Sequence, residues 1–131
     1  TFRTHQLHDF IIESAKEYDF RLDKIVLLGY SNGANIAQSL LLHHPKHYRY
    51  AMLHHPMNVK KDMPFEPLDH VHVFIGAGAF DPLFPIEETY LLQKRLTNAK
   101  ANVHLHMEQA GHELTRNEVL AAIKWYESLS I

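Results

Sequence analysis

Ile25-Val26-Leu27-Leu28-Gly29-Tyr30-Ser31-Asn32-Gly33-Ala34-Asn35-Ile36-Ala37 is the stretch that decides the fold. Its first four residues form an uninterrupted apolar run with two β-branched side chains, as a strand buried on both faces requires. From Asn32 to His43 the pattern turns helical through Ile36, Ala37, Leu40 and Leu41, and Pro45 stops it. Gly29-Tyr30-Ser31-Asn32-Gly33 lies between the two, a G-x-S-x-G pattern in the strand-to-helix setting of a nucleophile elbow. A serine on so tight a turn projects its hydroxyl above the sheet. Glycine two positions to either side is expected to let strand and helix approach without a Cβ clash. The helix N-terminus then faces the reacting centre, and the Asn32 backbone N–H becomes an oxyanion donor.

Charge is absent from Ile25 to Leu42, long enough to test as a membrane span. Ser31, Asn32, Asn35, Gln38, Ser39 and two glycines argue instead for strand, turn and helix. Upstream, Leu7, Phe10, Ile11, Ala15 and Tyr18 predict an amphipathic helix over 4–18, left through the polar connection Asp19 to Asp23. Downstream, Tyr50 to Leu53 reads as a second strand. Pro56, Pro64 and Pro67 then mark a loop of about a dozen residues, longer than a simple connection needs. Val71 to Ile75 is a third strand, broken by Gly76 and Gly78; Pro85 to Ala99 is a helix. Val103, Leu105 and Met107 alternate with His104 and His106 in a fourth strand, and Leu114 to Leu129 closes the chain as a helix. This order predicts one α/β domain over 1–131 with a largely parallel sheet.

Composition narrows the chemistry. At 131 residues the chain holds one core, and 46% hydrophobic with 21% charged residues is ordinary for a globular protein. Thirteen basic against 15 acidic residues give no field for phosphates, so neither nucleic acid nor membrane is an expected partner. The chain has no cysteine, which excludes disulfides and thiolate chemistry and fits a reducing, cytoplasmic setting. Twelve histidines are the compositional oddity.

Ser31 needs a base, and the base an orienting acid. Ligands of open α/β sheets bind at the carboxyl ends of the strands. His112, in Ala110-Gly111-His112-Glu113, follows the fourth strand at that end; Asp81, in Gly78-Ala79-Phe80-Asp81-Pro82, follows the third. The order Ser31, Asp81, His112 is that of the triad on such a sheet. Of the competing acids, Asp69 precedes its strand, Asp62 sits beside Lys60 and Lys61 as a solvated charge, and Glu113 reads as a first-turn helix acid. His104 and His106 share a strand face but lack a third ligand, and His43-His44 suits a helix C-terminus, so no metal site is assigned. Tyr30, Met57, Met63, Phe65, Leu83, Phe84 and Leu114 flank the loops as candidate apolar lining, with His55 beside them at the end of the second strand.

Leu28 to Ala37, Leu53-His54-His55-Pro56-Met57, Asp81-Pro82 with Pro85, and Gly111-His112-Glu113-Leu114 resemble the phospholipase/carboxylesterase family, bacterial α/β-hydrolases that include acyl-protein-thioesterase-like enzymes. The similarity runs from about Phe10 to the C-terminus. It implies an α/β-hydrolase fold with helices on both faces of the sheet, and serine-dependent hydrolysis of a small carboxylic ester without a cofactor. Ser31 would be the nucleophile, His112 the base and Asp81 its partner. Thioesterase or peptidase chemistry on the same fold is the alternative, as is a non-catalytic module. Members of the fold carry further strands and a second oxyanion loop before the elbow, and residues 1–20 hold no Gly-rich loop. The chain is therefore expected to be the C-terminal portion of such a hydrolase, weakly active or inactive alone. An unpaired edge at Ile25 would invite self-pairing, a homodimer among its outcomes.

Overall fold

The apolar run is strand β1, Val26–Tyr30, followed by helix α2, Asn32–His43. The structure, a computed structural model, describes residues 2–18, 21, 24–60 and 62–129. Helix α1 spans Phe2–Tyr18; the expected connection over 19–23 falls largely outside the described residues. Strands β2, Tyr50–His54, and β3, His72–Gly78, precede helix α3, Ile86–Asn98. Strand β4, Asn102–Glu108, and helix α4, Arg116–Ser128, complete the fold. The four strands are parallel and stand in the order β1-β2-β3-β4.

Alternation along the strands splits the interior in two. Leu27, Leu53, Val73 and Ile75 pack with Leu40 and Leu41 of α2 and Leu92 and Leu96 of α3. Phe74 faces the other way, against Ala122 and Trp125 of α4, with Met52 alongside. Each fully buried leucine contributes about 1.5–3 kcal/mol, so the first face dominates the stability. The second is thinner toward β1, where Leu28 is 68% exposed while its neighbour Leu27 is buried. Among the described residues β1 is an edge strand, as the sequence predicts.

Strand ends depart from expectation for identifiable reasons. β1 continues through Gly29 and Tyr30 because they pair with Leu53 and His54, so the turn starts only at Ser31. β3 runs through Gly76 and Gly78, held between β2 and β4. Helix α4 starts at Arg116 rather than Leu114, because Thr115 is its N-cap and accepts the Glu118 N–H at 3.1 Å. Glu113 thus precedes the helix, and its carboxylate accepts the Gly111 N–H at 3.3 Å.

Among the described residues between β2 and β3 there is no helix, and side chains satisfy the connection's backbone. Gln38 Nε2 donates to the Met57 carbonyl at 2.6 Å, and its Oε1 accepts from Val59 N at 3.1 Å. The Arg95 guanidinium on α3 reaches Asn58 Oδ1 and the carbonyls of Val59, Lys60 and Met63 at 2.5–3.1 Å. It also lies over the Phe65 ring, 4.7 Å from its centroid. Phe65 packs on the core and anchors the loop; the cleft it borders, with Pro64, Arg95, Asn98 and Ala99, includes none of Ser31, Asp81 and His112.

Candidate active site

Ser31 closes β1 with φ 57° and ψ −115°, a left-handed turn that a non-glycine residue adopts only under constraint. Its N–H donates to the His54 carbonyl at 2.9 Å, and its own carbonyl accepts the Asn35 N–H in the first turn of α2. A Cβ on Gly29 would overlap the backbone of Gly33 and Ala34, so glycine is required there. Gly33 does not share that role: a Cβ there meets nothing within 4 Å. The close approach expected of both glycines rests on the first alone. Asn32 opens α2, where backbone N–H groups have no intrahelical acceptor and the dipole is positive.

Three loops at the carboxyl ends of the strands converge on this turn. Ser31 Oγ lies 3.0 Å from His112 Nε2, and His112 Nδ1 donates to Asp81 Oδ2 at 2.6 Å. The Asp81 Oδ1 atom accepts the backbone N–H groups of Leu83 (2.8 Å) and Phe84 (3.1 Å). Burial alone would raise the Asp81 carboxyl. The His112 hydrogen bond, then those of Leu83, Phe84 and His55, outweigh it and hold it below the usual carboxylate range. Tyr30 donates its hydroxyl to the His112 carbonyl at 2.6 Å, fixing the loop that carries the imidazole. Phe84 meets the His112 ring edge-on at 4.9 Å.

His55 does not line a cavity. It is 1% exposed, takes φ 54° just past β2, and lies beneath Asp81. Its Nδ1 is 3.2 Å from Asp81 Oδ2 and its Nε2 is 2.7 Å from Glu118 Oε1. The other Glu118 oxygen, Oε2, is 2.5 Å from His54 Nδ1. Glu118 is fully buried. Burial would raise its carboxyl, but the hydrogen bonds and charges of His54 and His55 hold it low. Burial likewise pushes His55 down, and Glu118 and then Asp81 more than reverse this, so its imidazole titrates above the ordinary value. Nothing in the sequence analysis singles out Glu118; in the structure it follows the N-cap Thr115 by three positions, and its N–H donates to the Thr115 hydroxyl. The missing side chain at Gly76 is what admits it, because a Cβ there would collide with the Glu118 carboxylate.

Of the remaining lining candidates, Tyr30 and Leu114 border an apolar groove of about 450 Å³ between β1 and α4, with Leu28, Met52, Val119 and Ile123. Met57 and Leu83 are exposed, and the Met57 backbone is tied to Asn35 and Gln38 of α2. Met63 holds the Arg95 guanidinium through its carbonyl.

Among the described residues, two sets of donors come within 4.8 Å of one another, as metal ligands do: His55 with Asp81 and His112, and His8 with His44 and His47. The donors of the first are already committed to the hydrogen bonds above. In the second, the His8 and His44 rings are stacked at 3.6 Å and within 6° of parallel. Their in-plane lone pairs cannot meet on one ion in this arrangement.

The family model described as Phospholipase/Carboxylesterase matches residues 2–130. A Bacillus subtilis (strain 168) protein named as the hydrolase MhqD is 40% identical over 125 residues, covering 95% of this chain and 62% of that protein. The Bacillus cereus carboxylesterase structure superposes with a TM-score of 0.93 at 48% identity, covering 96% of this chain and 59% of that one. The Mesorhizobium loti carboxylesterase structure gives 0.89 at 32%, covering 96% and 60%. The chain thus spans about three-fifths of the length of these relatives. With the elbow, the parallel sheet and the Ser31–His112–Asp81 row in place, the chain belongs to the phospholipase/carboxylesterase family of α/β-hydrolases.

Proposed function

We propose that this protein is a serine carboxylesterase in which Ser31, His112 and Asp81 form the catalytic triad. The observation that carries the reading is the unbroken row Ser31 Oγ–His112 Nε2 (3.0 Å) and His112 Nδ1–Asp81 Oδ2 (2.6 Å), built on a left-handed elbow. Ser31 Oγ attacks the ester carbonyl while His112 Nε2 takes its proton. Asp81 holds the imidazole in the tautomer that presents a bare Nε2 and stabilises the imidazolium that forms. The tetrahedral oxyanion receives the Asn32 N–H at the start of α2. Collapse breaks the ester C–O bond, His112 returns the proton to the leaving alcohol, and the Ser31 acyl ester is left. Water, deprotonated by His112, then releases the acid and restores the serine. Tyr30 and Leu114, shared between the triad loops and the apolar groove, are the residues best placed to meet an acyl group.

The test is covalent labelling. A fluorophosphonate probe is expected to modify Ser31 and no other residue, and p-nitrophenyl esters to turn over. An unlabelled Ser31 in protein that is folded by circular dichroism overturns the reading. A parallel panel of acyl thioesters and peptides separates the alternatives, because faster turnover of either reassigns the leaving group.

A further inference from the structure

We propose that His55 is a buried imidazolium joining Asp81 to Glu118, and that His55 and Glu118 are positioning residues for the triad. The proposal rests on the ester-hydrolase reading for its kinetic consequence only; the charge on His55 follows from its contacts and from the basicity of imidazole relative to a carboxylate. Both ring nitrogens face carboxylate oxygens, at 3.2 Å on Asp81 and 2.7 Å on Glu118. A neutral imidazole has one N–H, so its bare nitrogen would meet carboxylate lone pairs at one of these contacts. A proton on Glu118 would also satisfy the 2.7 Å contact, but imidazole is the stronger base by about two pK units, so the proton belongs on the ring. Asp81 is already committed as an acceptor, to His112, Leu83 and Phe84. With Glu118 ionised, only the doubly protonated ring satisfies every contact.

The surroundings are built for that ion. In register across the sheet, His54 of β2 stands opposite Gly76 of β3, and the Glu118 carboxylate fills the space that a Gly76 side chain would take. It reaches there from α4, on the far side of the sheet from α2, and meets His54 Nδ1 as well as His55. The charged and titratable groups around His55 are Asp81, Glu118, His54, His112 (ring centroids 5.3 Å apart) and Tyr30 (5.7 Å). Such an interior leaves a buried anion stable only if it is paired and hydrogen-bonded.

The consequence for the triad is twofold. Asp81 Oδ2 is shared between His112 Nδ1 and His55 Nδ1, so the carboxylate is pinned from both sides and cannot rotate away from the base. Counting Asp81, Glu118 and His55, one negative charge is left over. That excess favours the second imidazolium, the one that appears on His112 as the Ser31 proton leaves.

Nuclear magnetic resonance of the ¹⁵N-histidine-labelled protein tests the charge directly, without a variant and without substrate. The expected spectrum at pH 7 shows two ring N–H protons on His55; a single one overturns the proposal. Glu118→Gln keeps the shape and removes the anion. It is expected to take one ring proton from His55 and to lower kcat for p-nitrophenyl esters roughly 10–100-fold, as loss of an outer-shell partner commonly does, with KM within about twofold. A merely structural Glu118 would lower the melting temperature and leave both the His55 spectrum and kcat of the folded fraction unchanged, which also overturns the proposal. If Glu118→Gln does not fold, the wild-type spectrum decides. Failure of the fluorophosphonate label with two N–H protons on His55 would refute the esterase reading and the positioning role, while leaving the buried ion in place.

Discussion

His54, His55 and His112 are threaded between Asp81 and Glu118, whereas His5, His8, His43, His44 and His47 face chiefly one another across α1 and the end of α2. In the first group carboxylates supply acceptors, and the buried ring of His55 holds its proton more tightly than in water. In the second, His8 stacks on His44 and shares a 2.7 Å hydrogen bond with the buried Tyr48 hydroxyl, while His5 Nδ1 and His44 Nε2 share another at 2.9 Å. Burial first, then His8, His5, His47 and His43, push His44 down to about 4. The same side chain is a proton-holding ion in one place and a neutral packing ring in the other. The difference lies in whether a carboxylate is within reach.

The largest expected effect would break the comparison outright. His112→Ala is expected to lower kcat for p-nitrophenyl esters about 10⁴–10⁶-fold, while His44→Ala changes it less than about twofold. Comparable losses would mean that the two clusters are not functionally distinct. Next in size is the spacing on which Glu118 depends. Gly76→Ala puts a methyl into the carboxylate, an overpacking expected to cost about 1–3 kcal/mol in urea unfolding and to disturb the same kinetics.

The smallest effect, and the most direct contrast, is in pH. The depressed His44 leaves the unfolded chain binding more protons than the fold between about 6.5 and about 4, so stability falls as pH is lowered through that window. The raised His55 works in the opposite sense. Its contribution is complete below about 6.5 and is lost as pH rises through the folded value. Thermal melts at stepped pH should therefore decline less steeply below about 6.5 in His44→Gln and less steeply above about 6.5 in Glu118→Gln. Unaltered slopes in both variants would show that neither cluster governs the profile.

Much of this was legible in the chain. Ser31 with its flanking pattern, and Asp81 and His112 each in a loop after a strand, follow from rules local to a strand-to-loop junction, and the structure brings the three side chains together. The element order holds too, because apolar periodicity is set by burial on each face. What stayed hidden is non-local. Glu118 lies 64 positions from His54 and 63 from His55, so only the fold brings it to them. His8 and Tyr48 are 40 positions apart, so no spacing rule joins them. His55 was placed at the correct end of the correct strand, but its left-handed φ turns the ring inward, and sequence does not report φ.

Ser31, at φ 57° and ψ −115°, sets function against robustness. A residue with a Cβ costs on the order of 1–3 kcal/mol in such a conformation, against roughly 5–15 kcal/mol of total stability for a domain. Ser31→Gly is therefore expected to raise the urea midpoint even as it removes the proposed nucleophile. A lineage released from selection for hydrolysis would gain stability by giving up this serine. The elbow is where disuse would first be written into the chain.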